Sequence, residues 1–309
     1  MRAMPKQVAS PESLLAKLVR QIEPTSTQKS GAKRSHNYLR DLLATGKMED
    51  RIVDSYLSGS YARATAIRPL EDVDIIFIID PSYWKLPLFS SLPAPADVLR
   101  TFESAIRYRY DVPSLRTQRR SIRLQLNHLD IDVVPAVVAD ESTGMLKIPD
   151  GDAGEWIATG PQIHSTMATE VNSLRGGKFK PLVKLLKHWN RVLPETAHLK
   201  SFAIETMAVR IFKKVSFHQL DEGLGHFFDF VAKFSSHFCS GDTYGMTNGL
   251  LGGLGVPDVA RTGSNITASV DAARKKAFFD HATRASTWLT NARHESGRID
   301  ALKRIFRLR

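Results

Sequence analysis

Residues 59–74 read Gly-Ser-Tyr-Ala-Arg-Ala-Thr-Ala-Ile-Arg-Pro-Leu-Glu-Asp-Val-Asp, and this stretch constrains the chain more than any other. A Gly-Ser turn comes first. Asp72 and Asp74, one residue apart, then open the run Val73-Asp74-Ile75-Ile76-Phe77-Ile78-Ile79, which has the composition of a buried strand. Positions i and i+2 of a strand share a face, so the two carboxylates stand side by side at its start. Fixed oxygens at that separation suit a pair of Mg²⁺ ions, hard cations that take oxygen ligands and bridge to substrate phosphates. The Gly59-Ser60 turn would hold the same phosphates from the other side, through backbone N–H groups and the Ser60 hydroxyl. Asp-x-Asp alone says little, because strand ends carry acids often. The specificity comes from Gly-Ser at this distance, with Arg63 and Thr65 in between.

The stretch resembles the signature of the polymerase-β-like nucleotidyltransferases, Gly-Ser followed by Asp-x-Asp. Its fuller form, Gly-Ser-Tyr-x-Arg-x-Thr-x-Ile and then Asp-Val-Asp-Ile, is similar to that of one branch, the bacterial CD-NTases of SMODS type. These relatives of cyclic GMP-AMP synthase and oligoadenylate synthase make cyclic di- and oligonucleotide messengers. The resemblance implies an α+β fold. A polymerase-β-like nucleotidyltransferase lobe with a mixed sheet would occupy 1–165, N-terminal helices included, and an all-helical nucleotide-binding lobe 166–309. It also implies a third carboxylate on a neighbouring strand, in a sequence of the form Val-Asp-Val-Val-Pro-Ala. Residues 131–136 read Ile-Asp-Val-Val-Pro-Ala, so Asp132 is the match and Asp130 the alternative. Asp72, Asp74 and Asp132 are then the catalytic and metal-binding residues for two Mg²⁺ ions, with Mn²⁺ as a substitute. Asp132 would serve only the metal that activates the attacking hydroxyl.

Two later stretches carry the resemblance further. A Lys on one helix and a Ser opening the next match the family by position as Lys187 and Ser201, and Phe202 stands where the commoner residue is Tyr. In the family these hold the donor triphosphate and stack on its base. Gly59, Ser60, Lys187, Ser201 and Phe202 are therefore the expected nucleotide contacts. Without the upstream motif, Lys187, Ser201 and Phe202 read first as a solvated lysine, an ordinary helix cap and a core phenylalanine. Residues 257–265 are similar, imperfectly, to the family's late Asp-Pro…Asn-Asn loop, with Asn265 placed to close the nucleotide pocket.

Composition narrows the partners. The 43 Lys and Arg against 32 Asp and Glu give a formal charge of +11, which favours polyanionic ligands: nucleotides, RNA or DNA. Lys29, Lys33, Arg34 and Arg40 lie on the polar side of a long helix expected over 25–43. That side is either a solvated face or the surface for an activating protein or nucleic acid. No apolar run reaches the ~20 residues that a membrane span needs, and the N-terminus lacks an apolar signal core. No membrane partner and a cytoplasmic location are expected. Cys239, the single cysteine, leaves no disulfide partner and cannot build a thiolate metal site.

The remaining elements follow from periodicity and punctuation. Ser10-Pro11 starts a helix with Leu14, Leu15, Leu18, Val19 and Ile22 on one face. Residues 52–57 form the first strand, and 61–67 begin a helix after the Gly-Ser turn. Four prolines make 81–95 a loop, with Trp84 and Phe89 as packing residues. Helical spacing covers 97–109. Strands at 121–126 and 129–134 alternate cleanly about a two-residue hairpin turn, Asn127-His128. Arg123 on the first of these strands either touches a base or phosphate or points into solvent. Residues 144–160 lack periodicity and read as the passage to the helical lobe. In 180–191 Leu182, Leu185, Leu186 and Trp189 go inward, while Lys184, Lys187 and Arg191 line another face. Ser201 is a natural N-cap. The phenylalanines of 220–238 mark a core helix, and 270–290 and 298–308 end the chain as helices.

The expected function is a Mg-dependent nucleotidyltransferase that joins nucleoside triphosphates (ATP, GTP or pyrimidine triphosphates) into a cyclic di- or oligonucleotide second messenger in antiphage signalling. An RNA-tailing transferase of CCA-adding or poly(A) type shares the metal site, but usually carries a further RNA-binding domain for which there is no room. An inactive nucleotidyltransferase-fold scaffold that binds nucleic acid has no use for an intact Gly-Ser turn and three carboxylates.

Overall fold

The computed structural model describes residues 10–70, 72–109, 115–126, 129–236, 247–249 and 253–309. The turn at 127–128, Phe238 and Cys239 lie outside the described residues. In chain order the elements are α1 (Pro11–Ile22), α2 (Ser26–Leu43), β1 (Ile52–Ser58), α3 (Gly59–Ala62), β2 (Asp72–Ile79), α4 (Pro95–Arg109), β3 (Leu115–Thr117), β4 (Ile122–Gln125), β5 (Asp130–Asp140), β6 (Met145–Asp150), β7 (Glu155–Thr159), α5 (Pro161–Leu174), α6 (Phe179–Val192), α7 (Ser201–Phe212), α8 (Leu220–Ser236), β8 (Thr247–Gly249), β9 (Gly253–Gly255), α9 (Ala272–Asn291) and α10 (Glu295–Phe306). Residues 24–166 form one compact unit, built on the sheet. Residues 1–23 and 167–309 form a second, mostly helical unit, and the chain passes from one to the other within α5.

The sheet runs β1-β2-β5-β4-β3, with β6 pairing β5 and β7 pairing β6. β2 and β5 are parallel and the other pairs antiparallel, which gives the mixed sheet. The sequence of β2 accounts for its place. Val73, Ile75, Phe77 and Ile79 sink into the core that α2 and α4 cover, through Ala32, Leu39, Leu43, Val98, Leu99, Phe102 and Ile106. Ile76 and Ile78 pack on the opposite face with Val134, Ala136 and Leu146. A strand buried on both faces reads as a continuous apolar run, and only its first residues can be charged. Phe102 meets Phe77 edge-on, ring centroids 5.9 Å apart, and stacks on Trp84 at 6.4 Å. Each such buried aromatic contributes about 1.5–3 kcal/mol, so the strand that carries Asp72 and Asp74 is firmly held.

The structure departs from the sequence reading in several places. Residues 144–160 contain the β6–β7 hairpin. Pro149, Asp150 and Gly151 interrupt its composition, and the middle of β7 is half-buried throughout, so it shows no alternation. At its turn the buried Asp150 accepts from Arg119 Nε at 2.6 and 2.7 Å, from Arg120 Nη2 at 3.3 Å and from the Ala153 N–H at 3.1 Å. The Arg119 hydrogen bond leads in lowering the Asp150 pKa to about 2. The helix expected over 61–67 stops at Ala62. Ala64 turns left-handed, with φ 57°, and Thr65 folds back on Ser60. Phe89, expected to pack, is fully exposed, whereas Trp84 is buried. Finally, α1 belongs to the helical unit and not to the sheet unit with α2.

The last difference has a packing cause. Leu15, Leu18, Val19 and Ile22 are buried, and α1 packs against α6, α8 and α10. Glu12 accepts from the Leu220 N–H at 2.8 Å, and Lys184 donates to Glu23 at 2.5 Å. A Ser10–Ser13 capping box starts α1, and a Thr25–Gln28 box starts α2. In the helical core Trp189 meets Phe228 and Phe278 edge-on at 4.7 and 5.2 Å. The unit also carries the small β8–β9 ribbon and a bridge between Pro257 and Asn265, a departure from an all-helical lobe. No helix among the described residues is long and apolar enough to cross a membrane.

Candidate active site

Strand register assembles the acidic residues. Ser58 on β1 pairs with Asp74 on β2, Asp74 with Asp132 on β5, Asp132 with Arg123 on β4, and Arg123 with Arg116 on β3. Paired residues share a face of the sheet, so one row crosses five strands with two carboxylates at its centre. The next row holds Asp72, Asp130 and Gln125. The parallel pairing of β2 with β5 thus brings Asp132 beside Asp74, and sets the alternative, Asp130, beside Asp72.

Arg123 binds this group. Its Nε lies 3.0 Å from Asp132 Oδ1 and its Nη2 2.6 Å from Asp132 Oδ2, a two-pronged pair. The guanidinium also lies 3.6 Å from Asp130 and 3.8 Å from Asp72. Hydrogen bonding to Asp132 leads in raising the Arg123 pKa further above its usual range. Arg123 therefore does not simply point into solvent, one of the two uses the sequence suggested; its charge is engaged by the acidic rows.

The Gly-Ser turn is built against Asp74. Gly59 has φ +68°, and a Cβ placed on it would lie 1.8 Å from Asp74 Oδ2. Glycine is required there both by conformation and by space. The Thr65 N–H donates to the Ser60 carbonyl at 3.0 Å, and its hydroxyl reaches the same oxygen at 3.4 Å. The Tyr61 hydroxyl donates to the Lys29 carbonyl on α2 at 2.9 Å. Arg63 is buried and acts electrostatically on Asp74. The spacing Gly-Ser-Tyr-x-Arg-x-Thr thus has a local cause at each named position: room at Gly59, the accepting carbonyl of Ser60, the Tyr61 anchor, the Arg63 counter-charge and the Thr65 hook.

Asp74 has its pKa raised to about 6, first by burial and then by the charges of Asp72 and Asp132, with Arg63 and Arg123 opposing. Excess negative charge on hard oxygens is what a divalent ion of the Mg²⁺ or Mn²⁺ class relieves, so the donor set fits such ions. Among the described residues no three His, Cys, Asp or Glu side chains form a ready metal cluster; Arg123 is the cation that Asp132 holds.

In the helical unit Lys187 is 3% exposed, and its ammonium lies 2.8 Å from Glu205 on α7. Lys184 is also buried and pairs with Glu23. Lys184 and Lys187 therefore do not line a solvated face, because Glu23, just past the end of α1, and Glu205 on α7 meet them inside the unit. Ser201 is exposed and is the first residue of α7, with Lys200 at the cap position. Phe202 is half-buried. The Asn190 side chain exchanges hydrogen bonds with the Leu199 backbone at 2.8 and 3.0 Å, fixing the approach to Ser201. Asn265 Oδ1 accepts from Val256 N–H, Thr267 N–H and the Thr267 hydroxyl, so it holds its own loop.

Glu205, Asn190 and the Arg123–Asp132 pair were missed in the sequence. For the last a signal existed: the two-residue turn expected from the sequence at 127–128 would set 125 opposite 130 and therefore 123 opposite 132, the register observed. For Glu205 and Asn190 there was none.

Comparison with known proteins agrees on one group. Residues 10–172 match the model of the Second Messenger Oligonucleotide or Dinucleotide Synthetase domain. The chain is 31% identical over 297 residues to a cyclic AMP-AMP-AMP synthase of an Acinetobacter species, covering 92% of this chain and 80% of the relative. Escherichia coli CdnC has a similar fold, with TM-score 0.74 in a complex with HORMA-deltaN and 0.73 with ATP. Both structures are 18% identical and cover 96% of this chain, and 96% and 98% of theirs. The Bradyrhizobium diazoefficiens CD-NTase CdnG, solved with GTP, gives 0.73 at 15% identity over 97% of this chain and 98% of that one.

Proposed function

The chain belongs to the Second Messenger Oligonucleotide or Dinucleotide Synthetase family and is a nucleotidyltransferase of the bacterial CD-NTase group, and from that premise we propose that it joins ATP, alone or with a second nucleoside triphosphate, into a cyclic oligonucleotide messenger. The observation that carries the site assignment is the register of Asp74 with Asp132, with Gly59 closed against Asp74. The similarity to a cyclic AMP-AMP-AMP synthase favours ATP as substrate.

In this reading Asp72, Asp74 and Asp132 would hold divalent cations, magnesium or manganese, which supply charge neutralisation for the triphosphate and acidity to the attacking hydroxyl. The chain's own residues position. Gly59 and Ser60 present the turn to the donor phosphates. Lys187, Ser201 and Phe202 are proposed contacts to the donor triphosphate and base, on the strength of their spacing. An acceptor 3′- or 2′-hydroxyl attacks the α-phosphate in line, the α–β bridging bond breaks, pyrophosphate leaves and the hydroxyl proton passes to solvent. The free hydroxyl of the linear product attacks the α-phosphate of the remaining triphosphate, a second α–β bridging bond breaks, a second pyrophosphate leaves with the proton passing to solvent, and the ring closes. A protein or nucleic-acid activator on the exposed Lys29, Lys33 and Arg34 of α2, and a role in antiphage signalling, belong to the same proposal.

Incubation with ATP and the other nucleoside triphosphates in Mg²⁺, without primer or template, is expected to give a product that phosphatase leaves intact. Its mass should equal a whole number of nucleoside monophosphates less one water each. A phosphatase-sensitive ladder of linear products would instead support RNA tailing.

Gly59→Ala is expected to cost at least ~10²-fold in turnover, because the added methyl must push the Asp74 carboxylate by an ångström or more. Product formation checks this, and turnover within a few-fold of wild type would remove the turn from the site.

A further inference from the structure

The acid expected to complete the second cation site is already bound at both oxygens. Asp132 faces Arg123 across the β4–β5 ladder and receives two charged hydrogen bonds, at 3.0 and 2.6 Å. The same guanidinium stands 3.6 Å from Asp130 and 3.8 Å from Asp72. Arginine does not shed its charge near neutral pH, and its planar fork matches a carboxylate. Four acids in two adjacent rows would otherwise repel, with the buried Arg63 as a further counter-charge beside Asp74. The side chain of Arg123 is one-third exposed, so it has an open side toward which it can move.

We propose that Arg123 is a positioning residue that occupies Asp132 in place of a divalent cation, so that cation entry at Asp132 competes with the guanidinium. This rests on the reading of Asp72, Asp74 and Asp132 as cation ligands. In the cation-free protein the guanidinium keeps the acidic rows together and Asp132 in its rotamer. When an ion takes an Asp132 oxygen, one or both prongs must let go. The competition raises the cation concentration needed to fill the Asp132 position. Ion occupancy at Asp132 then depends on whatever draws the guanidinium off, and a bound polyphosphate has the right charge.

The test is Mn²⁺ binding to the full chain without nucleotide, followed by electron paramagnetic resonance and calorimetry. Arg123→Gln is expected to bind Mn²⁺ about tenfold or more tightly than wild type, since the ion no longer displaces a charge-assisted pair. Its melting temperature in chelator should fall and should recover with Mn²⁺ by more than wild type gains. The tightening should vanish in an Asp132→Asn background. Should Arg123→Gln fail to fold, Arg123→Lys carries the test. It keeps the charge but loses the fork, and Mn²⁺ should tighten by a few-fold. Equal or weaker Mn²⁺ binding in the folded variant overturns the proposal while leaving the cation reading in place. No Mn²⁺ binding to wild type or variant overturns the cation reading, and the proposal with it.

Discussion

Asp74→Asn is expected to abolish product formation, by at least ~10³-fold, while leaving the cation-free protein as stable as wild type or more so. The loss corresponds to about 4 kcal/mol of barrier, as expected for the proposed cation ligand at the centre of the acidic row. The stability half follows from the environment. Burial, then Asp72 and Asp132, raise the Asp74 pKa from 3.8 to about 6. A carboxyl whose pKa is raised on folding contributes stability that is fully present below its unfolded value and lost as pH rises through the folded one. At pH 8 the charged carboxylate therefore costs the fold on the order of 3 kcal/mol, and the neutral amide does not. Melting in chelator at pH 8 and pH 4 checks this: the variant's advantage should be largest at pH 8 and small at pH 4. A substantial fall in melting temperature at pH 8, or near-normal product formation, would contradict the assignment.

That the acids could be found in the sequence and much of their surroundings could not has physical reasons. Asp72 and Asp74 were legible because strand parity and the apolar run after them leave few alternatives. Asp132 was legible through resemblance, and its position beside Asp74 depends on a parallel pairing that no local pattern shows. α1 illustrates the opposite limit. Its cap and apolar face were plain, but an amphipathic helix does not say which core it covers. Leu15 and Leu18 could have packed under the sheet; Glu12 and Glu23, meeting Leu220 and Lys184, tie the helix to the other unit. The β6–β7 hairpin stayed hidden because half-burial on both faces erases alternation, and because Asp150 looked like a loop residue until Arg119 and Arg120 closed on it. Lys187 shows the same blindness: its amphipathic spacing gave a face, but the acid opposite it comes from another helix.

Lys187→Ala is expected to destabilise the chain by roughly 3–5 kcal/mol, because Glu205, 2% exposed, loses the ammonium 2.8 Å from its carboxylate. For a chain of this size the melting temperature should drop by about 10 °C. The alanine variant alone therefore cannot separate a structural lysine from a nucleotide contact, since poor folding would lower activity in either case. The double change Lys187→Met with Glu205→Gln removes both charges and keeps the volume. Replacing a whole buried pair by neutral groups of similar size costs far less than breaking it, so most of the lost stability should return. In that background the proposed triphosphate contact becomes measurable: KM for ATP should rise, with kcat little changed, as for the loss of a uniform binding interaction. An unchanged KM in the stable double variant would leave Lys187 as the partner of Glu205 and remove it from the nucleotide site, with Ser60 and Ser201 then carrying the phosphate contacts.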